Sequence, residues 1–266
     1  MATQAVSGSS VTQGRLWGAR ARDWAEWQEP VQRPLYQAVL DATGVGSGTA
    51  LLDVGCGSGL ACALAATRGA SVSGLDAAAG LVEIARERLP QADLRVGEME
   101  TLPFADRAFD VVTGFNSFQY AANPVGALRE ARRVSRPGAP VVIMTWGRKD
   151  DCDAAAYIAA LGSVLPPPPP GAPGPFALSD ETALKALATE AGLSPHRIAD
   201  VDCPFTYPDL ETALRALLSA GPAVRAIEAA GEERVREVVT QALTPYRTAS
   251  GGYHLENVFR YLIAHA

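Results

Sequence analysis

Residues 51 to 59 read Leu51-Leu52-Asp53-Val54-Gly55-Cys56-Gly57-Ser58-Gly59, and their reading decides the fold. An apolar run carrying a single acid ends in three alternating glycines and passes into an apolar stretch from Leu60 to Arg68. This is the pattern of a buried strand, a tight turn and a helix. Glycines at 55, 57 and 59 let the backbone turn sharply and come within contact distance of a ligand, which a Cβ would prevent. The first turn of the helix presents free N–H groups, suited to a polar or anionic group such as a carboxylate.

The same pattern repeats along the chain. Strands are predicted at Ala50 to Val54, Ala70 to Leu75, Leu94 to Val96, Phe109 to Thr113 and Val141 to Trp146, with helices at Leu60 to Arg68, Gly80 to Leu89 and Pro124 to Val134. Continuous apolar strands separated by helices imply a parallel sheet covered on both faces. The glycine turn then lies at the carboxyl edge of the sheet, where open α/β folds bind ligands. Upstream, the first dozen residues read as a mobile tail, with order starting near Trp17. From Ala21 to Ala42 apolar positions recur at helical spacing and are broken at Pro30 and Pro34, which suggests two short helices. Beyond Gly147 the alternation stops, and the proline-rich residues 165 to 175 predict an extended connection. A ligand for a proline-reading domain is the alternative there. A helix to Ala191, a strand from Pro195 to Asp202, two or three amphipathic helices between Asp209 and Leu243 and a last strand from Tyr253 to Ile263 complete the pass.

The chain has 266 residues, 48% hydrophobic and 20% charged, which fits a packed globule rather than a disordered chain. A net charge of −6 provides no basic field for nucleic acid or an anionic membrane, so neither is expected as a partner. Cys56, Cys62, Cys152 and Cys203 form no CxxC pair, and with three histidines in the chain a metal site is not expected. With no apolar leader near Met1 and no membrane-length run, a cytoplasmic protein is expected, as monomer or homodimer.

Spacing separates the kinds of glycine loop. A dinucleotide GxGxxG starting at Gly55 needs glycine or alanine at 60, which is Leu60. A phosphate-binding P-loop needs a lysine that is absent from the loop, and a nucleophile elbow around Ser58 needs glycines where Cys56 and Leu60 stand. What remains is GxGxG preceded by an acid, with a second acid, Asp76, at the tip of the second strand. A carboxylate there can accept both ribose hydroxyls of a nucleoside ligand.

Four ordered blocks carry a family resemblance: LLDVGCGSG at 51 to 59, GLDAAAGLVEIAR at 74 to 86, VGEMETLPFADRAFDVV at 96 to 112 and ALREARRVSRPGAPVVIMTW at 127 to 146. In these the chain resembles the class I S-adenosylmethionine-dependent methyltransferases, in the ubiquinone/menaquinone C-methyltransferase-like (methyltransferase type 11) branch of small-molecule enzymes. The resemblance implies a Rossmann-like, doubly wound α/β fold with a mostly parallel seven-stranded sheet and an antiparallel last strand. It implies one domain: an N-terminal helical cap at 14–49, a cofactor-binding core at 50–148, a proline-rich connection at 149–180, the rest of the sheet at 181–208 and 246–266, and a helical lid at 209–245. It also implies S-adenosyl-L-methionine as cofactor and a small-molecule acceptor, in secondary metabolism.

Carried onto this chain, the resemblance places Gly55, Gly57 and Gly59, with Cys56, against the methionyl part of the cofactor, and Asp53 near its amino group. Asp76 takes the ribose, Ala77 and Leu81 wall the adenine, and Glu98 stands where the family usually has Asp for the adenine amino group, with Met99 alongside; a solvated loop acid is the alternative for Glu98. Phe115 and Asn116 line the methionine moiety and the transfer channel. In the cap, Arg20 is set to pair with the methionyl carboxylate and Trp24 to cover the site, or they are a surface arginine and a core aromatic. Methyl transfer from a sulfonium needs alignment foremost and a base only where the acceptor must lose a proton. Candidates are Tyr120 and Gln119, where relatives often have a His pair, and Tyr253, His254 and Glu256; His254 also reads as a half-exposed strand residue. Trp146, with Tyr157, Phe176, Phe205 and Tyr207, lines an acceptor pocket or fills core. His196 and His265 read as structural or solvent-facing. Two other functions stay open at this point: a cofactor-binding cyclase or regulator of the same fold, and a nicotinamide-dependent oxidoreductase.

Overall fold

The apolar runs assemble into one seven-stranded sheet in the computed structural model, which describes residues 8–169 and 174–266. The strands are β1 (Ala50–Val54), β2 (Ser71–Asp76), β3 (Asp93–Val96), β4 (Val111–Phe115), β5 (Pro140–Trp146), β6 (Ser194–Asp202), β7 (Phe205–Tyr207), β8 (Tyr253–Leu255) and β9 (Val258–His265). The main sheet runs β3-β2-β1-β4-β5-β9-β6, with β7 and β8 in a separate two-stranded ribbon. Strands β1 to β5 are mutually parallel and β9 is antiparallel to both neighbours, so the expected Rossmann-like architecture with an antiparallel last strand is borne out. The order reverses between β1 and β4, which opens a crevice at their carboxyl ends.

Eleven α-helices are assigned among the described residues: α1 (Ser10–Gly18), α2 (Ala21–Asp23), α3 (Arg33–Ala42), α4 (Leu60–Thr67), α5 (Ala79–Arg88), α6 (Pro124–Val134), α7 (Ala154–Ser163), α8 (Glu181–Glu190), α9 (Leu210–Leu217), α10 (Gly221–Ala230) and α11 (Glu232–Leu243). Among the described residues no helix is long and apolar enough to cross a membrane. Helix starts follow local chemistry. Asn123, Asp180 and Asp209 each accept a backbone N–H of the first turn of α6, α8 and α9. One apolar cluster packs α3, α7 and α9–α11 against one side of the sheet, and a second packs α6 and α8 against the other.

Several expectations are corrected. Among the described residues regular structure begins at Ser10 rather than near Trp17, because Glu98 accepts the Ser10 N–H at 2.8 Å and pins the start of α1. The break at Pro30 and Pro34 is a continuous coil of changing pitch: α2 passes into a π turn at Trp24–Gln28, a 3-10 turn at Glu29–Gln32 and then α3. The fourth strand begins at Val111, since the Asp110 carboxylate is taken by Ala50 N and Arg136 and Phe109 makes only an isolated bridge to Ser135. The region 149–180 is not all connection: it contains α7, whose first N–H, on Ala154, donates to the buried Asn257 side chain. That same Asn257 divides the predicted last strand into β8 and β9. Residues 166–169 take no regular structure, and 170–173 of the proline run lie outside the described residues.

Gly59 sits at the left-handed φ of 81° at the entry to α4, and a Cβ there would lie 2.9 Å from Ala85 Cβ on α5. It is a packing glycine, away from the cavity walls described below. Gly59→Ala is expected to lower stability by about 1–3 kcal/mol, read as a lower denaturant midpoint at unchanged slope.

Candidate functional site

The carboxyl ends of β1, β2, β3 and β4 converge on a cleft of about 790 Å³. Each strand delivers its residues by ending there: Gly55 to Gly57 after β1, Asp76 and Ala77 at β2, Gly97 to Met99 after β3, and Phe115 to Ser117 at β4. The glycine loop is tied to the sheet on both sides. Gly55 N and Cys56 N donate to Leu75 O at 2.7 and 3.0 Å, and Ser117 Oγ donates to Val54 O at 2.6 Å. A side chain at Gly55 (φ 78°) would overlap Ser117 Cβ, and at Gly57 (φ 55°) a Cβ would lie 3.5 Å from the Trp24 Nε1. The turn therefore needs glycine for its conformation and for its close neighbours.

Four carboxylates line this cleft: Glu29, Asp53, Asp76 and Glu98. Asp53 is 1% exposed and pairs in register with Thr113 of β4, whose hydroxyl donates to it at 2.8 Å. Burial, with the nearby Glu29 and Asp76 carboxylates, pushes its carboxyl up to about 7, against that hydrogen bond. Asp76 accepts from Gly57 N at 2.9 Å and Ala78 N at 2.8 Å, and burial nonetheless raises it. Glu29 accepts from Ser58 N (3.1 Å), Leu60 N (3.4 Å) and the Ser58 hydroxyl, and pairs with Arg88 at 2.8 Å. The free N–H groups expected at the start of α4 are thus taken by the chain's own carboxylate. Burial raises Glu29, opposed by Ser58 and Arg88.

A second cavity of about 850 Å³ adjoins the first. Trp17, Trp24, Gln32, Asn116 and Tyr120 line both. Its body is aromatic and aliphatic, from Trp146 at the end of β5, Phe259 of β9, Phe205 of β7, and Tyr157, Ile158 and Leu161 of α7. Leu217, Ala220 and Pro222 of the α9–α10 region close it. Asn116 takes a left-handed φ of 54°, an uncommon conformation outside glycine that turns the chain at this junction, and the Gln119 amide donates to its side-chain oxygen. Burial pushes the Tyr120 phenol up to about 12. The indole N–H of Trp24 is buried and has no partner among the described residues. Among the described residues no group of three or more His, Cys, Asp or Glu is arranged to hold a metal.

The methyltransferase domain family matches residues 52–143. A malonyl-[acyl-carrier protein] O-methyltransferase from Erwinia pyrifoliae is 28% identical over 205 residues, 77% of this chain and 74% of that protein. A demethylmenaquinone methyltransferase from Renibacterium salmoninarum is 36% identical over 105 residues, 40% of this chain and 44% of that protein. The match places a methyltransferase domain at residues 52–143 of this chain. Its fold is shared with the geranyl diphosphate C-methyltransferase from Streptomyces coelicolor A3(2), solved with S-adenosyl-L-homocysteine, at a TM-score of 0.58 and 14% identity over 99% of both chains.

Of the residues singled out from sequence, Asp53, Gly55, Cys56, Gly57, Asp76, Ala77, Leu81, Glu98, Met99, Phe115, Asn116, Trp24 and Tyr120 all line the first cleft, and Trp146 lines the second. Others do not come to the site. Arg20 points to the lid and pairs with Glu232 of α11 at 2.8 Å. His254 sits on the β7–β8 ribbon, bonded to Thr206 at 3.0 Å and Glu256 at 2.9 Å, and lines neither cavity. Tyr253, on the same ribbon, is core opposite Tyr207. Gln119 acts on Asn116 without lining the cavities, and Gly59 packs on α5. Sequence reasoning missed Glu29, Gln32, Gln13, Ser9, Tyr36 and Trp17 as wall residues. A signal was present for two of them: Glu29 and Gln32, with Gln28, are polar residues that cluster beside two prolines in an otherwise amphipathic stretch, and all three are buried.

The Asp53 carboxyl also makes stability depend on pH. Its ordinary value is 3.8 and its folded value about 7, so below pH ~4 it is protonated in both states and costs nothing. Between those values the unfolded chain releases the proton while the folded chain keeps it, and stability falls as pH rises, by about 4 kcal/mol at pH ~8. Asp53→Asn is expected to melt higher than wild type at pH ~8, with the advantage shrinking toward pH ~4. An advantage that is the same at every pH would contradict the assignment.

Proposed function

We propose that this methyltransferase moves the methyl group of S-adenosylmethionine to a small, largely apolar acceptor held in the second cavity. The observation that carries this reading is the shared aperture of Trp17, Trp24, Gln32, Asn116 and Tyr120 between a carboxylate-lined cleft and an apolar one. The chemistry of the first cleft fits the cofactor. Its carboxylates suit a ligand with an amino group, a sulfonium and ribose hydroxyls, and the glycine turn leaves room where a Cβ would meet Glu29 and Trp24.

In this reading Asp76, at the tip of β2, accepts the ribose hydroxyls through the lone pairs that Gly57 N and Ala78 N leave open. Ala77, Leu81 and Met99 flank the adenine, and Glu98 meets its amino group while still holding the start of α1. Gly55, Gly57, Cys56 and Asp53 face the methionyl part, with Phe115 and Asn116 at the channel. Arg20 has no place in it, since its guanidinium is engaged by Glu232.

The bound cofactor supplies a methyl group already activated on a sulfonium. The chain's own task is then alignment and exclusion of water, and positioning of this kind supplies on the order of 7–11 kcal/mol. The indole of Trp24 and the phenol of Tyr120 wall the aperture, and Gln119 fixes the Asn116 amide there. Trp146 and Phe259 stack at 4.5 Å and shape the far end for an apolar body.

Asp76→Ala is expected to weaken S-adenosylhomocysteine binding by about 100-fold or more in calorimetry, since it removes two hydrogen bonds to a charged acceptor. Wild-type affinity in that variant would remove the ribose assignment. Acceptor screening by mass spectrometry, seeking products heavier by one methyl group, tests the transfer itself.

A further inference from the structure

Two of the chain's three histidines meet at the far end of the sheet from both cavities. The edge strand β6 pairs with β9 from Asp202 back to Arg197 and again at Pro195 and Ser194, but the register slips between Pro195 and Arg197. His196 is left as the extra residue of a β-bulge, a device that re-aims a side chain. Its imidazole is aimed at His265 of β9, with the ring centroids 5.0 Å apart and the ring planes at 61°. His265 pairs in register with Pro140, the first residue of β5, so the two rings stand at the amino end of β5. The cleft lies at the opposite, carboxyl ends of the parallel strands.

The pair is set up for more than packing. His265 Nδ1 lies 3.0 Å from Gly138 O. A carbonyl oxygen only accepts, so Nδ1 carries the proton and the neutral ring keeps its lone pair on Nε2. Ligating histidines are held in this way, with one ring N–H on a backbone carbonyl that fixes tautomer and orientation. Gly138 is itself fastened, since its N–H donates to Ala266 O at 2.9 Å and Ala266 N donates to Ala139 O at 3.0 Å. Neither nitrogen of His196 has a hydrogen-bond partner among the described residues. The spacing fits a single ion. Imidazoles bound through nitrogen at ~2.0–2.1 Å put each centroid ~3.2 Å from a metal, and bond angles of ~90–109° then separate the two centroids by ~4.5–5.2 Å. The observed 5.0 Å lies inside that range. An edge-to-face ring contact accounts for the distance alone, and for neither the tautomer nor the bulge.

We propose that His196 and His265 form a bidentate site for a divalent transition-metal ion, copper(II) foremost, which clamps the edge strand β6 to β9. The inference goes beyond the methyl-transfer reading and does not depend on it. Imidazole nitrogens suit copper, nickel and zinc, whereas magnesium and calcium take oxygen ligands. Among affinities of one nitrogen site for these ions copper(II) stands highest. No third His, Cys, Asp or Glu joins the pair among the described residues, so water completes the coordination. The place of the site in the fold sets what the ion does. It is remote from the cleft and takes no part in chemistry there. Strand β6 has β9 as its one neighbour in the sheet, and an ion that binds the folded chain alone adds to the stability of that edge.

The test uses the untagged full chain. Titrated with Cu²⁺ in calorimetry, it is expected to bind a single ion, and electron paramagnetic resonance of the complex is expected to show coupling to two imidazole nitrogens. His196→Ala and His265→Ala are each expected to weaken Cu²⁺ by about tenfold or more. His254→Ala, on the separate β7–β8 ribbon, is expected to change it by less than about twofold. Excess Mg²⁺ is expected not to compete. Saturating Zn²⁺ is expected to raise the melting temperature of the wild type and to leave that of His196→Ala unmoved. Binding that survives in the His196→Ala/His265→Ala double variant, or that is lost in His254→Ala, would overturn the inference. His196 is exposed and His265 half-buried, so both substitutions fall where the fold tolerates them. Should a variant fail to fold, the wild-type resonance spectrum decides, and fewer than two coupled imidazole nitrogens would overturn the assignment.

Discussion

The buried carboxylate of Glu29 joins the parts on which the site depends. It comes from the 3-10 turn of the cap, satisfies the Ser58 and Leu60 N–H groups at the entry to α4, and pairs with Arg88 at the end of α5. A carboxylate that is 2% exposed is tolerable only when its lone pairs are filled and a counter-charge is near, and both conditions are met. The cap is thereby fastened to the glycine loop at the point where the loop must be still. Breaking such a pair from one side leaves an uncompensated buried charge, typically a loss of about 3–5 kcal/mol. The α4 N-terminus, positive by its peptide dipoles, is also the place where that charge is best received.

With that helix end occupied from within, an anionic ligand group meets no lysine, arginine or histidine among the described residues that line the cleft. The wall is instead acidic, and burial raises Asp53, Asp76 and Glu29 together. Carboxylates held above their ordinary range are a standing cost to folding and a gain on meeting a cation. A sulfonium and an ammonium are the complement that relieves it, so the acidity of the cleft suits the proposed cofactor by energetics. The second cavity takes the opposite course, with a wall free of charged side chains among the described residues.

How much of this was legible in the sequence follows from the range of the interactions. The strands and helices of residues 50 to 146 are local patterns of apolar runs and glycine turns, and the structure moves only the fourth strand by two residues, where Asp110 is claimed by Ala50 N and Arg136. Asp53, Asp76 and Glu98 were legible because parallel strands deliver whatever follows their ends to one edge. Arg20 was not, because its partner Glu232 lies on a helix far along the chain, and nothing in the local pattern distinguishes a guanidinium facing a cofactor from one facing a lid. Glu29 precedes Pro30 in the sequence, and its burial follows only from the coil passing through a π turn and a 3-10 turn beneath the glycine loop. His254 was placed on one long strand, and the buried Asn257, holding α7 through Ala154 N, divides that strand and carries the histidine away.

The segment from α1 to Gln32 meets helices α9 to α11 beside the second cavity through ion pairs and through apolar contacts, which differ in strength. Arg15 pairs with Glu228, Arg20 with Glu232 at 2.8 Å, and Arg215 with Asp23 at 2.6 Å, all with substantial exposure. Exposed pairs of this kind are worth about 0–1 kcal/mol each and weaken with salt. The apolar contact is closer: Trp17 lies over Gly221 so tightly that a Cβ there would come 2.7 Å from its Nε1. Trp17 also lines both cavities, so the residue that packs α1 on α10 stands at the aperture between them. The ion pairs set the register of the two elements, and the Trp17–Gly221 contact sets how far they close. Parting the two elements would break the weak surface pairs, lift one indole and also undo the packing of Trp27 and Val31 on the apolar cluster of α9 to α11, while Glu29 keeps the glycine loop in place.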